Sequence, residues 1–133
     1  MEKVFHDKYQ MTCIFTDEGI IFSNVMKDVY FPYGCLDSLN LSLLGIMQAV
    51  SRAQVCCFTV AKEDKAEIKE LVKRGKAAMK SSPAAEPVVL DLTPLHVDGS
   101  LPAEDQLKAY KAHYVQGVIS RDQFNLKKRL LQR

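Results

Sequence analysis

The sequence predicts an α+β protein: a small antiparallel sheet that curls on itself, a closing helix, then a linker and a helical hairpin. Three observations carry this. Up to residue 60 the apolar residues come in short runs separated by tight turn signals, with no connector long enough for a parallel crossover. At Ala61 the period changes, and Lys62 to Lys80 is dense in Lys, Glu and Ala. Beyond the Ser81-Ser-Pro-Ala-Ala-Glu-Pro87 break, the last thirty or so residues carry two short helical patterns with matched cap signals. Three parts follow: residues 1–80, sheet plus helix; 81–99, a linker with a possible added strand at 88–92; and 100–133, the hairpin.

In the first part, Tyr9 to Thr16 and Ile20 to Ser23 flank Asp17-Glu-Gly19, which reads as a hairpin. Val29-Tyr-Phe31 is a strand stopped by Pro32, whose missing N–H confines it to a strand end or edge. Leu39, Leu41 and Leu43 alternate with Ser38, Asn40 and Ser42, so the leucines are expected on one face. After Gly45, Ile46 to Val50 and Gln54 to Val60 make two more strands around a turn at 51–53. That gives about six strands, with a seventh open around Glu2 to His6. In the helix, Ile68, Leu71, Val72, Gly75 and Met79 form an apolar stripe that must be buried against the sheet. Glu70 and Arg74 are spaced for an i,i+4 pair.

The order of strands and one closing helix resembles the pleckstrin-homology-like fold in its short bacterial form. The resemblance rests on Thr16-Asp-Glu-Gly-Ile-Ile-Phe-Ser23, Pro32-Tyr33 and Leu36-Asp-Ser-Leu39, and covers about residues 8–80. It implies a curled sheet or barrel.

In the hairpin, Pro102, Glu104 and Asp105 suit a helix start, and Leu107, Tyr110 and Tyr114 recur at helical spacing. Gly117 fits the left-handed residue that ends a helix. Ser120 and Gln123 spell a capping box, with Ile119 and Phe124 as its hydrophobic staple. Leu131 continues the stripe, and Lys127-Lys-Arg129 favours the negative end of the second helix. Gly117-Val-Ile-Ser-Arg-Asp-Gln-Phe124, with Lys128 and Leu131, resembles the short C-terminal domain called SHOCT. Asp122-Gln123 replaces that family's usual acidic pair, and Gln132 its second leucine. The resemblance implies an association unit with no catalytic residues to carry over.

The chain has 133 residues, 47% hydrophobic and 26% charged, with net charge +2. This excludes a large multidomain enzyme, a low-complexity chain and a disulfide scaffold. The charge is uneven. Residues 1–61 carry four bases and six acids, and 62–80 seven and four. Residues 81–103 carry three acids and no base, and 104–133 seven bases and three acids. The net values are thus −2, +3, −3 and +4, a pattern that can guide contact between parts of the chain.

No apolar run reaches the ~20 residues that span a bilayer, and no apolar h-region follows Met-Glu-Lys-Val-Phe-His-Asp7. Reduced cysteines and a cytoplasmic location are therefore expected. Cys13, Cys35, Cys56 and Cys57, and His6, His96 and His113, spell no local metal motif. No nucleophile elbow or phosphate loop is present, so neither catalysis, a metal nor a cofactor is expected. Phe15, Phe22, Tyr30, Phe31 and Phe58 fall within strands and read as core, which argues against nucleic-acid binding.

Two surfaces remain as functional candidates. The hairpin face of Leu107, Tyr110, Tyr114, Ile119, Phe124 and Leu131 buries too little to be stable alone. It would drive self-association, bind another protein or dock against the first domain, making the protein a non-catalytic interaction module. The alternative is peripheral binding of anionic lipid through Lys69, Lys73, Lys76 and Lys80, which lie three or four residues apart. Glu63, Asp64, Glu67 and Glu70 on the same helix favour an ordinary solvated face instead.

Overall fold

The computed structural model describes residues 2–52 and 54–133. Four strands lead: β1 (Lys3–His6), β2 (Thr12–Phe15), β3 (Gly19–Ser23) and β4 (Lys27–Pro32). β5 (Ser38–Leu41), β6 (Ile46–Ser51) and β7 (Gln54–Thr59) follow, then helix α1 (Lys65–Ser81). β8 (Val88–Asp91), α2 (Ala103–Val115) and α3 (Arg121–Leu131) complete the chain. β1 is the seventh strand that the sequence left open, and it pairs with β2 from Lys3↔Phe15 to His6↔Thr12.

The α+β class and the antiparallel pairing hold, but the curled pleckstrin-homology-like sheet does not form. The strands make two separate sheets, β1-β2-β3-β4-β8 and β5-β6-β7. The break comes after β4. Pro32 has no N–H to continue a ladder, and a 3₁₀ turn at Tyr33–Cys35 carries the chain away. The other edge of β4 is occupied by β8, paired from Lys27↔Asp91 to Tyr30↔Val88. β5 therefore starts a second sheet, and within the segment 88–92 the residues Val88–Asp91 form an added strand.

The two sheets face each other across the main core. Phe5, Cys13, Phe15, Ile20, Phe22, Val29 and Phe31 meet Leu39, Met47, Ala49, Cys56 and Phe58 there, and α1 contributes Ile68 and Val72. Gly75 allows α1 to approach closely, since a Cβ there would lie 2.9 Å from Leu39 Cδ2 and 3.1 Å from the Tyr33 ring. The first turn expected of α1 is instead a 3₁₀ turn at Lys62–Asp64. The Glu70–Arg74 pair is not among the ion pairs of the described residues.

The opposite face of the five-stranded sheet is also covered. Ile14 and Ile21 are fully buried there beneath Leu126 of α3. The hairpin is built as its cap signals require. Gly117, at φ +80°, closes α2 with N–H bonds from Gly117 to Tyr114 O and from Val118 to His113 O. Ser120 Oγ accepts from Gln123 N at 3.1 Å, while Gln123 Oε1 accepts from Ser120 N at 2.7 Å. The same Gln123 amide donates to Val89 O at 2.7 Å, so the cap that starts α3 also ties it to β8.

Candidate anionic-surface site

The alternation of β5 ends one residue pair earlier than the sequence suggests. Leu39 is buried and Leu41 half-buried, but β5 stops at Leu41, and Leu43 does not join them. Ser42-Leu-Leu-Gly45 is instead the turn into β6. Ser42 Oγ accepts from Ile46 N at 3.1 Å, Gly45 N donates to Ser42 O, and Gly45 takes φ +82°. Its two leucine side chains stand in the open. Leu43 is 95% exposed and Leu44 89%, and Ile46 extends the apolar patch at 43%.

This turn stands beside the basic side of α1. Ile68, Val72 and Gly75 face the core, which leaves residues at the intervening helical positions outside. Lys69, Lys73, Lys76 and Lys80 are all exposed. Lys65, one turn earlier, donates from Nζ to Leu43 O at 3.3 Å and joins helix to turn. The resulting groove, about 540 Å³, is lined by Leu41 and Leu43 and by Lys65, Lys69, Lys73 and Lys76. Lys80 lies outside this lining, one turn beyond Lys76. Glu70 is the acid within the lining, and Glu67 pairs with Lys3 at 3.6 Å. The groove thus gathers several cations against a single carboxylate.

The hairpin candidates lie elsewhere and are engaged with the chain itself. Tyr110 and Ile119 are buried with Leu90 and Leu95, and Tyr114, Phe124 and Leu131 pack against that cluster. The rings of Tyr114 and Phe124 stack with centroids 5.2 Å apart. Leu107 is half-buried. Polar contacts reinforce the docking: Lys127 Nζ reaches Asp28 Oδ2 at 3.1 Å, and Arg129 and Arg133 both bond Glu2. The Arg129 guanidinium holds the Glu2 carboxyl below the usual carboxylate range. The basic C-terminal stretch therefore meets the acidic first part of the chain, as the charge alternation allows.

The remaining titratable candidates are dispersed. His6 Nδ1 lies 3.1 Å from Thr12 Oγ1, and His113 Nε2 lies 3.1 Å from Leu95 O. Cys13, Cys35 and Cys56 are buried, and Cys57 is exposed. Burial pushes the Cys13 thiol well up and the Cys56 thiol up to about 11, the reverse of what a reactive thiolate needs. Among the described residues no group of His, Cys, Asp and Glu could hold a metal ion. Among them, too, no helix is long and apolar enough to cross a membrane.

The sequence pointed to Lys69, Lys73 and Lys76 but missed Lys65, Leu43 and Leu44. A signal was present: Leu43 and Leu44 are adjacent, so one of them must break the alternation, and Gly45 follows directly. Comparison of the chain with protein-family models, curated proteins and solved structures returns no match.

Proposed function

We propose that this protein is a non-catalytic interaction module that docks on anionic membrane surfaces through the basic side of α1. The observation that carries this reading is the groove in which Lys65, Lys69, Lys73 and Lys76 stand together beside an uncovered turn. Each lysine near an anionic leaflet contributes about 1 kcal/mol, an attraction that fades beyond a Debye length. The cytoplasmic leaflet carries such charge, so the proposal places the protein in the cytoplasm. The SHOCT-like hairpin serves in this reading as a brace on the outer face of the sheet. Self-association through Tyr110, Tyr114, Ile119, Phe124 and Leu131 would first require the hairpin to leave that sheet.

Co-sedimentation of the full chain with vesicles tests the proposal. Binding is expected to vesicles containing about 30% phosphatidylserine, not to pure phosphatidylcholine, and to weaken as salt rises towards about 0.5 M. Lys69→Glu/Lys73→Glu is expected to weaken binding at least about thirtyfold, the equivalent of about 2 kcal/mol. Equal binding to both vesicle types, or to neither at low salt, would overturn it.

A further inference from the structure

We infer that Leu43 and Leu44 are a hydrophobic anchor that enters the interfacial layer of the bilayer, giving the docking a component that salt does not screen. This rests on the anionic-surface reading and names what the turn adds to it. Two adjacent leucines at 95% and 89% exposure contribute nothing to the core. Isolated surface leucines are ordinary, but these stand at the tip of a turn and beside a lysine-lined groove. That arrangement combines the two attractions of an interfacial membrane contact, apolar burial and charge.

The turn is also built to tolerate the loss of water. Removing a polar group from water is costly unless it is already hydrogen-bonded. Here Ser42 N donates to Ile46 O at 2.9 Å, and Gly45 N to Ser42 O at 3.1 Å. Gly45 O accepts from Val60 N at 2.7 Å. Leu43 O accepts from Lys65 Nζ, and Ser42 Oγ from Ile46 N. Much of the backbone polarity of the turn is therefore satisfied internally while the leucine side chains point free. Lys65 and Lys69 flank the turn on α1, placed to meet headgroup phosphates while the leucines sit deeper. A lipid surface, with anionic phosphates lying over an apolar layer, engages the lysines and both leucines at once.

The chain contains no tryptophan, so Leu44→Trp in the full-length protein provides a sole reporter. With phosphatidylserine-containing vesicles its emission is expected to shift to the blue and to be quenched by lipids brominated high on the acyl chain. Pure phosphatidylcholine should give neither change at the same concentration. Leu43→Ser/Leu44→Ser is expected to reduce vesicle partitioning about tenfold or more and to leave the residual binding fully salt-sensitive. Its thermal melt should match the parent, because neither side chain packs on the core. A tryptophan that sediments with vesicles yet stays unshifted and unquenched, with the serine variant binding like the parent, would overturn the anchor and leave electrostatic docking standing. Absence of any vesicle binding at low salt would overturn the docking itself and the anchor with it. Binding and a blue shift with polyglutamate but not with vesicles would overturn both in favour of an acidic protein partner.

Discussion

Asp28 lies on the outer face of the five-stranded sheet with none of its side chain exposed, under Lys127, whose side chain is 11% exposed. Ser23 Oγ donates to Asp28 Oδ1 at 2.6 Å, and Lys127 Nζ completes the set at 3.1 Å from Oδ2 while lying 5.2 Å from the centre of the Tyr110 ring. Two charges taken out of water attract each other strongly but lose comparable hydration, so the pair as a whole adds little net stability. Removing one partner is different, because the other stays buried and uncompensated. Lys127→Met is therefore expected to destabilise the protein by about 3 kcal/mol or more, whereas Asp28→Asn/Lys127→Met recovers most of that loss. Urea unfolding of the two variants and the parent checks this. Equal losses in both variants would mean that packing, not charge, fastens α3. The ion pair was not legible in the sequence as a pair: ninety-nine positions separate its members. Only the net charges of the two ends hinted at it.

At the scale of elements, the legible parts were those whose signals are local. The α2–α3 turn follows from Gly117, Ser120 and Gln123 because a cap is settled by residues within a few positions of one another. The stripe of α1 was equally clear, and Ile68, Val72 and Gly75 are its buried members. What a stripe packs against is not local, and neither is the use made of a linker. Residues 82–87 illustrate this at Gly34, in the 3₁₀ turn after β4: a Cβ there would collide with the carbonyl of Pro83. The linker crosses that turn at backbone contact distance, so the glycine is required by a close approach and not by its own backbone angle. Gly34→Ala must displace a backbone atom and is expected to cost about 1–3 kcal/mol, with the local shift spreading into 82–87. Thermal melting, together with amide exchange at Ala84 and Ala85, reads the two effects. A melt equal to that of the parent would show that the linker yields freely at this point.

At the scale of the whole molecule, the feature least legible was the covering of the first sheet on both faces. A half-buried strand alternates, but Ile20, Ile21 and Phe22 are consecutive and all at most 1% exposed, as are Cys13 and Ile14, with Phe15 at 2%. Such unbroken apolar runs mark strands covered on two sides, and in retrospect they announced that something would lie on the outer face. The identity of that cover, the chain's own α2 and α3, could not come from the runs alone. The separation into two sheets was hidden for a related reason: it depends on β8 reaching β4 from beyond the linker. Burial in the main core and under α2 has a consequence in alkaline solution. Burial pushes Cys35 up, Cys13 well up, Cys56 to about 11, and Tyr33 and Tyr110 to about 12. The unfolded chain releases the same protons near 9 for thiols and near 10 for phenols. Above pH 9 the unfolded state therefore binds fewer protons than the folded one, and stability falls as pH rises. The contribution of these groups is fully present below pH 9 and is lost progressively as pH rises through 11 and 12. The urea midpoint is thus expected to hold near pH 8 and to decline measurably by pH 10.5. A Cys13→Ala/Cys56→Ala variant starts lower because of lost packing but declines less steeply over that interval. A parent midpoint unchanged from pH 8 to 10.5 would show that these groups titrate in the folded protein as they do in the open chain, and that the core admits water.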